Sequence, residues 1–494
     1  MSDDYPTMDI VDHICYAIKN EGIDLSVLTE LLSTFGETER LHIADAISGS
    51  PKSRDSSMRK LGYMYETIVG EEIPLQDNIL TKKTYDSLFN PEIYYTSSIP
   101  KNISAKFKIT DNSIGNITTI CPIIRRTDNL DIHSAADYGQ SISSIFGKVN
   151  KNIIDLACDR LALNETQHSF IYEKDTHDAK SRITKLKEVM LNMDLNKDYL
   201  TEEHLVELQN CIASKYKQDD AFRNYQNFIG GYIGSKPVVT YMPPKPQLLR
   251  GYMSEVHKLY TELISPDCGL DPVIAGSIVG CYFVLAHPFA DGNGRISRFL
   301  MQNVWMRRGY NYKNMILPIS EALSCSGSDS KNDYIKSLAN ITTPMMNRQD
   351  YHFVSITEDG QDFYVPEFKK CNLKAYAYPD LTAYCETVYD LVKEASSDYL
   401  PKTVIKTQII ETTKEKLRNE VSIGDKRLSK FVDLCLHNDG VLSNNKRRSF
   451  RDIPSAAIDR IQAVVLEEYS KFKELIGRDN EITSELIDEY SPCI

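Results

Sequence analysis

An almost continuous apolar segment, Pro272 to Ala286, constrains the fold more than any other feature of the sequence. Asp271 is a helix-capping residue, and Pro272 after it suits the first helical position, so the pair predicts a helix start. The helix is apolar on nearly all faces, which places it at the centre of a domain. It is shorter than the ~20 residues that a membrane-spanning helix needs. We therefore interpret it as a core helix and expect no membrane role.

Length and composition limit the remaining possibilities. A chain of 494 residues is too long for one ordinary core and indicates about two to four domains. The hydrophobic fraction of 41% is typical of a soluble globular protein. The net charge of -12 argues against general nucleic-acid binding, because phosphate neutralisation needs a basic surface. The eleven cysteines form no CxxC pair and the start is acidic and polar, so we expect reduced thiols and a cytoplasmic protein.

Three regions of the chain differ in composition and hydrophobic periodicity, and the protein is predicted to be mainly α. Residues 1–145 begin with helical periodicity and become irregular, with β-like pieces such as Ile117 to Ile124. Residues 146–350 are dominated by helical patterns and form the predicted core. Residues 373–494 look helical. There we favour a helical packing domain over a small winged-helix-like element near Asn438 to Arg451.

Two local patterns stand out within residues 146–350. Thr201 offers a capping hydroxyl and is followed by acids in the first turn, which predicts a helix start. Ile229 to Gly234 and Val238 to Met242 have the composition of two short strands around a Gly-Ser turn. They predict a β-hairpin over 228–246, for which an ordinary structural role is one alternative.

The core helix ends in the segment HPFADGNGRISR, which runs from His287 to Arg298. Its Gly-Asn-Gly run can turn tightly and present backbone N–H groups at a helix N-terminus, an arrangement that favours anions. Arg295 and Arg298 lie three apart on the first turn of a helix predicted from about Arg295 to Arg308, so both point toward one side. Two guanidinium groups there suit a polyphosphate.

Two further residues of this segment complete a catalytic pattern. Asp291 beside a phosphate site is a sensible Mg²⁺ ligand, because this ion takes one or two carboxylates plus phosphate oxygens. His287 at the mouth of the loop can take a proton from an incoming hydroxyl. Each residue alone is explained by a turn, a helix end or a solvated helix face. Their occurrence within twelve residues favours a catalytic loop.

The segment His287 to Arg298 resembles the Fic family signature, HxFx(D/E)GNGRxxR, at every defined position. Fic domains are helical and catalyse AMP transfer from ATP to protein hydroxyls. The resemblance implies that His287 is the base, that Asp291 is the Mg²⁺ ligand and that Phe289 is a buried anchor of the loop.

The resemblance also assigns the residues that bind the nucleotide. Asn293, with the backbone of Gly292 and Gly294, would hold the transferred α-phosphate and its neighbour. Arg295 and Arg298 would hold the leaving β- and γ-phosphates. ATP and Mg²⁺ are thus the implied substrate and cofactor.

A second segment is similar to the inhibitory motif of the family, (S/T)xxxE(G/N). Ser169 and Glu173 lie four apart on a helix predicted over about 165–180, hence on one face. In autoinhibited members this glutamate pairs with the second arginine of the signature, here Arg298, and excludes the γ-phosphate. Lys174 departs from the Gly or Asn of the motif. The alternative explanation of Glu173 is a solvated helix residue.

The resemblance therefore implies a protein adenylyltransferase, autoinhibited through Glu173. The 228–246 hairpin falls where Fic domains carry a flap, so the resemblance also implies that a target with a Ser, Thr or Tyr hydroxyl docks on this flap by β-augmentation. One alternative is the reverse reaction, removal of AMP, with Glu173 helping to position water; transfer of UMP or another group is also open. The other alternative is a nucleotide-sensing regulator that contacts a partner or nucleic acid through its basic segment Lys446, Arg447 and Arg448. A homo-oligomer is left open.

Overall fold

The computed structural model divides into two compact units. The first unit holds Met1–Ser134, Asp198–Arg308 and Tyr334–Thr387, and the second holds Ala135–Lys197, Gly309–Asp333 and Val388–Ile494. The predicted boundaries at residues 146 and 350 differ from this division, because the chain passes between the units several times. The structure describes residues 9–50, 55–76, 79–135, 151–311, 315–325, 328–358, 361–418, 420–421 and 423–476.

The N-terminal part of the first unit confirms the predicted helical periodicity. Asp9 and Asp24 cap the first two helices through their side chains. The predicted β-like piece at 117–124 is confirmed only in its second half: the Asn116 amide donates to the Ile120 carbonyl and closes a turn, whereas Ile123 forms a parallel β-bridge with Asp380. The elements are α1 (Ile10–Asn20), α2 (Leu25–Leu32), α3 (Glu37–Gly49), α4 (Ser57–Val69), β1 (Asp86–Ser87), β2 (Asn102–Ser104), β3 (Ile109–Asp111) and α5 (Asp128–Ala135). The three strands form a sheet of order β1-β3-β2.

Two helices of the second unit follow, α6 (Lys151–Tyr172) and α7 (Lys180–Leu191). The predicted inhibitory helix thus ends at Tyr172 rather than near residue 180. Buried Glu165 on α6 accepts hydrogen bonds of 2.6 Å from the amide and the hydroxyl of Ser320.

The next elements return to the first unit and include the predicted core helix. They are α8 (Glu202–Ile212), β4 (Ile229–Ile233), β5 (Lys236–Tyr241), α9 (Pro246–Leu263), α10 (Pro272–Ala286) and α11 (Asn293–Arg307). The predicted helix start at Thr201, the hairpin and the core helix are all confirmed. Thr201 accepts from the His204 amide, and Asp271 accepts from the amides of Val273 and Ile274.

Helices α10 and α11 pack closely because α10 carries small residues at the contact. A Cβ atom on Gly276 would overlap the ring of Trp305, and one on Gly280 would lie 2.8 Å from Met301 Cγ. The Ser297 hydroxyl donates to the Gly280 carbonyl at 2.9 Å. This buried helix pair supports the loop that joins the two helices.

A second hairpin was not predicted. It consists of β6 (Asp350–Glu358) and β7 (Gln361–Lys370) and follows α12 (Ile319–Cys325) and α13 (Ser328–Met346). The Tyr364 amide on β7 donates to the Ser235 carbonyl at the turn of the first hairpin, at 3.2 Å. The two hairpins of the first unit are therefore in contact.

The C-terminal part is helical, as we favoured from the sequence. Its helices are α14 (Thr382–Glu394), α15 (Leu400–Leu417), α16 (Asp425–Leu436), α17 (Asn444–Arg447) and α18 (Ser455–Ile476). The described residues between 382 and 476 contain no strand, so the winged-helix-like alternative is not found there. Within the described residues, no helix is both long and apolar enough to cross a membrane.

Candidate active site

His287 forms the end of the core helix α10. Its backbone adopts a left-handed conformation, φ 46° and ψ 57°, and its amide donates to the Phe283 carbonyl. The ring Nδ1 lies 3.3 Å from the Val284 carbonyl oxygen. A carbonyl can only accept, so the neutral ring carries its proton on Nδ1 and its lone pair on Nε2. This is the tautomer that a general base requires.

The carbonyls of residues 285–288, at the end of α10 and the start of the loop, all accept hydrogen bonds. The Tyr241 hydroxyl, at the end of β5, donates to the carbonyl of Leu285 at 2.6 Å. Arg223 donates to the three carbonyls that follow: Nη2 to Ala286 at 3.4 Å, Nε to His287 at 2.9 Å and the backbone amide to Pro288 at 2.9 Å. The backbone that carries His287 is therefore fixed on both sides.

Arg223 is buried, with 3% of its surface exposed. Its remaining donors bind two more carbonyls, those of Pro244 at 2.6 Å and Tyr225 at 3.1 Å. Burial lowers the pKa of this guanidinium to about 10, which leaves it charged at neutral pH. The carbonyls at the C-terminus of α10 carry partial negative charge and stabilise a cation in this position.

Phe289 and Asn293 close the loop. The Phe289 ring is fully buried and meets the Phe222 ring edge-on, with centroids 5.7 Å apart. Asn293 accepts from the Phe289 amide at 3.1 Å and donates to the Phe289 carbonyl at 2.8 Å. The structure thus buries the predicted anchor, and it uses the Asn293 amide to fasten that anchor.

Two polar residues hold the tip of the loop. Asp219 accepts from the Ala290 amide at 3.0 Å, and the buried Gln209 on α8 donates to the Asp291 carbonyl at 3.3 Å. The Asp219 amide in turn donates to the Gln209 side chain at 3.1 Å. The loop tip is thereby connected to α8.

Asp291 divides its two carboxylate oxygens between different partners. Oδ1 accepts from the Gly292 amide at 2.7 Å and from Arg295 Nη2 at 2.8 Å. Oδ2 lies 3.2 Å from Nζ of Lys217, whose side chain is mostly exposed. Gly292 has φ 91°, a conformation that favours glycine. One oxygen of Asp291 thus orders the loop, and the other, which lies beside a mostly exposed surface amine, suits a hard cation such as Mg²⁺.

Helix α11 begins at Asn293, with Gly292 as its N-cap. The amides of the first helical turn have no partner within the helix and carry partial positive charge. Arg295 and Arg298 follow on this helix and are 1% and 3% exposed. The structure therefore brings the predicted phosphate-binding residues to one helix start directly after His287.

The flap forms at the predicted place. All residues of β4 are exposed, and Ile233 at its end is 76% exposed. β4 pairs with β5 in antiparallel register, with Gly231 opposite Val238. In contrast, the base of the flap, residues 241–244, is fixed. Tyr241 is bonded to α10, and the Met242 carbonyl accepts from the Tyr376 hydroxyl at 2.6 Å.

The predicted inhibitory motif lies in the second unit, at the end of α6. Ser169 is buried, and its carbonyl accepts from the Glu173 amide at 3.3 Å. The side chain of Glu173 is exposed. Lys174 has φ 56°, the left-handed conformation that Gly and Asn adopt most readily after a helix. Lys174 therefore adopts a conformation that the Gly or Asn of the motif would adopt readily. Pairing of Glu173 with Arg298 stays a prediction.

The basic segment of the C-terminal region is partly neutralised. Arg447 on α17 donates to Asp459 at 2.7 Å and to Gln462 at 3.3 Å, both on α18. This guanidinium holds two helices of the second unit together. The contacts give the nucleic-acid alternative no support.

Three residues that organise the loop, Gln209, Asp219 and Arg223, were not singled out from the sequence. Gln209 lies on α8, whereas Asp219 and Arg223 lie in the polar stretch after it, which has the composition of a linker. Each acts on backbone atoms of the loop, a role that leaves no spacing signal in the sequence.

The fold and the loop define a helical domain built to bind an anion beside a fixed histidine. Residues 199–304, which lie in the first unit, match the family model of the Fic/DOC family. This part of the chain is a Fic domain.

Curated relatives agree over the same part of the chain. The protein adenylyltransferase Fic of Drosophila erecta is 39% identical over 134 residues, which cover 24% of this chain and 25% of that protein. The namesake of Drosophila mojavensis is 33% identical over 119 residues, covering 24% of this chain and 21% of that protein. The chain thus matches about a quarter or less of the length of these relatives.

Solved structures of Fic proteins show weaker likeness. A Fic family protein from Desulfovibrio desulfuricans G20 gives a TM-score of 0.35 at 16% identity, covering 68% of this chain and 87% of that chain. A Fic domain containing signaling protein from Bacteroides thetaiotaomicron VPI-5482 gives 0.37 at 16% identity, covering 55% and 95%.

Proposed function

We propose that the chain is a cytoplasmic protein adenylyltransferase, which transfers AMP from Mg-ATP to a Ser, Thr or Tyr hydroxyl of a target protein. The observation that carries the proposal is the loop after α10. It holds His287 in the tautomer of a general base, directly before a helix start with two buried arginines. The names of the relatives, protein adenylyltransferase Fic, support the same activity.

In the proposed reaction, Nε2 of His287 accepts the proton of the attacking hydroxyl. The hydroxyl oxygen bonds to the α-phosphorus as the bond from that phosphorus to the bridging oxygen breaks, and pyrophosphate leaves. Proton transfer of this kind contributes roughly 10²–10⁴-fold to the rate. The first-turn amides of α11, with Arg295 and Arg298, stabilise the charge that develops on the phosphates.

Asp291 is the residue that would hold Mg²⁺, through Oδ2. Bound there, the ion would neutralise charge on the phosphates and orient them. Oδ1 remains with Gly292 and Arg295, so the carboxylate keeps the loop in order while its second oxygen serves as a ligand. Lys217 must move from Oδ2, which its exposed side chain allows.

The flap is the proposed docking place of the target. β4 is exposed along its whole length and can pair with an extended segment through main-chain hydrogen bonds. Because the flap base is bonded to the end of α10 through Tyr241, a segment on β4 has a defined path to the loop.

Autoinhibition through Glu173 completes the proposal. Under it, the Glu173 carboxylate pairs with Arg298 and takes the place of the γ-phosphate. The motif-like backbone at Lys174 supports this assignment. Regulatory couplings of this kind are worth roughly 5- to 150-fold.

The test is transfer of label from α-³²P-ATP to protein in the presence of Mg²⁺. The samples are the parent chain, Glu173→Gly, and Glu173→Gly combined with His287→Ala. We expect label to increase in the single variant and to vanish in the double variant. Absence of label in every sample, with ATP binding intact, would contradict the proposal and favour AMP removal or another nucleotide donor.

A further inference from the structure

Arg223 connects two parts of the Fic domain that have different roles in the proposed reaction. Nε and Nη2 bind the carbonyls of His287 and Ala286 at the loop, while Nη2 also binds the carbonyl of Pro244 at the flap base. One planar group therefore touches both the backbone of the proposed base and the end of the proposed docking element.

The contacts require the shape of arginine. Its guanidinium presents donors in a fixed plane, and here Nε, Nη1 and Nη2 each bind a different part of the backbone. A lysine at 223 would carry the same charge on a single nitrogen, which cannot reach carbonyls of the loop and of the flap base together. Charge and geometry can therefore be separated by substitution.

The backbone that Arg223 holds is in an uncommon conformation. His287 has φ 46°, in the left-handed region that non-glycine residues seldom adopt. The bonds to the carbonyls of residues 286–288 surround this position on both sides. Such a conformation persists where the surrounding structure over-determines it.

We propose that Arg223 is a positioning residue that couples the flap to the catalytic loop, so that the placement of His287 depends on the flap base through this guanidinium in addition to the Tyr241 hydroxyl. This inference rests on the proposed function for its kinetic consequences. Its structural consequence is independent of the proposed function: the loop and the flap should loosen together when the guanidinium is lost.

The kinetic test compares Arg223→Gln and Arg223→Lys with Arg250→Gln. Arg250 is a matched control, because it is an exposed arginine of the same domain that pairs with Glu202. We expect kcat for AMP transfer to fall about 100-fold in Arg223→Gln and about 10-fold in Arg223→Lys, magnitudes set by small misplacement of a reacting group. The Kd of a non-hydrolysable ATP analogue should stay within about twofold, since the phosphate-binding groups are intact. Arg250→Gln should behave as the parent does.

The structural test is amide hydrogen exchange on the same proteins without nucleotide. We expect Arg223→Gln to raise exchange both in β4–β5 and in residues 287–292, because the guanidinium binds carbonyls of the flap base and of the loop end. If Arg223→Gln does not fold, the kinetic and the exchange measurements are made on Arg223→Lys alone.

Three results would overturn the inference. One is a kcat that remains at the parent value in both variants. Another is a fall in kcat that is accompanied by a similar fold-loss of ATP-analogue affinity and by a lower thermal midpoint, which would make Arg223 a general packing residue. The third is faster exchange in only one of the two segments. A parent chain that transfers no AMP would instead refute the proposed function, and the exchange measurement would still decide the coupling.

Discussion

The catalytic loop and the flap belong to one compact unit and differ in how their backbones are held. Each carbonyl from Leu285 to Pro288 accepts a hydrogen bond from Tyr241 or Arg223. Every residue of β4, in contrast, is exposed. Chemistry needs reacting groups at fixed positions, whereas recognition by strand pairing needs an accessible backbone. The domain keeps both properties by fixing the base of the flap while leaving β4 exposed.

This difference predicts that changes in the loop act on the chemical step, and that changes in the flap act on recognition of the target. The following experiments test that separation.

The largest effect is expected for His287→Ala in the chain activated by Glu173→Gly. Loss of the general base should lower kcat for AMP transfer by roughly 10²–10⁴-fold. Binding of an ATP analogue, measured by calorimetry, should not change. Label incorporation equal to that of the Glu173→Gly protein would mean that another group takes the proton.

A smaller effect is expected for Asn293→Ala, which removes both hydrogen bonds to the Phe289 backbone. Leaving buried backbone groups unsatisfied costs about 1–3 kcal/mol of stability, so the thermal midpoint should drop. The kcat should fall by about 10- to 100-fold, because the loop that carries His287 is then less precisely placed. Asn227→Ala is the control, because Asn227 reaches the same Phe289 carbonyl only at 3.5 Å. Equal losses of kcat and of thermal stability in the two variants would show that the hydrogen bonds of Asn293 to Phe289 have no particular role in holding the loop.

In the flap, the substitution Ile233→Ser should lower kcat/KM for the target protein by about fivefold, the worth of about 1 kcal/mol of apolar contact. ATP-analogue binding and thermal stability should stay at parent values, since the side chain is exposed. Tyr216→Ser is a suitable control, because Tyr216 is 98% exposed but lies outside the flap. A fall of kcat at saturating target would contradict the division of roles.

The smallest effect concerns a group in neither region. Burial raises the pKa of Glu321 in the second unit to about 6, from an ordinary value of 4.5. The folded protein therefore binds this proton more tightly than the unfolded chain does. The stability that the proton provides is complete below pH 4.5 and is lost as the pH rises through 6. Between pH 4.5 and 7 the parent should lose about 1–2 kcal/mol from this group.

Glu321→Gln should remove that part of the pH dependence, as measured by denaturant unfolding at several pH values. AMP transfer at pH 7.5 should be unchanged, which separates folding energetics from the loop and the flap. An identical pH profile in both proteins would show that Glu321 ionises normally.

The parts of the site that are contiguous in sequence could be predicted from it. The helix α10, its capped start and the segment from His287 to Arg298 are continuous, so local patterns are sufficient to place them. The flap was predictable because glycine and proline mark its ends.

The parts that depend on distant contacts could not be predicted. Arg223 acts on carbonyl groups, which every residue possesses, so no spacing rule connects it with the loop. The hairpin β6–β7 was missed because its apolar residues do not alternate cleanly from Tyr351 onward. The division into two units also escaped prediction, because each unit is assembled from separate stretches of the chain.

The close approach of α10 and α11 gives the protein a built-in optical probe. Trp305 is the sole tryptophan of the sequence, and it is fully buried against Gly276. Its ultraviolet fluorescence therefore reports on the helix pair that supports His287 and not on the exposed flap. A red shift of the emission maximum would show that α10 and α11 have separated and exposed Trp305 to water, and its detection needs no added dye.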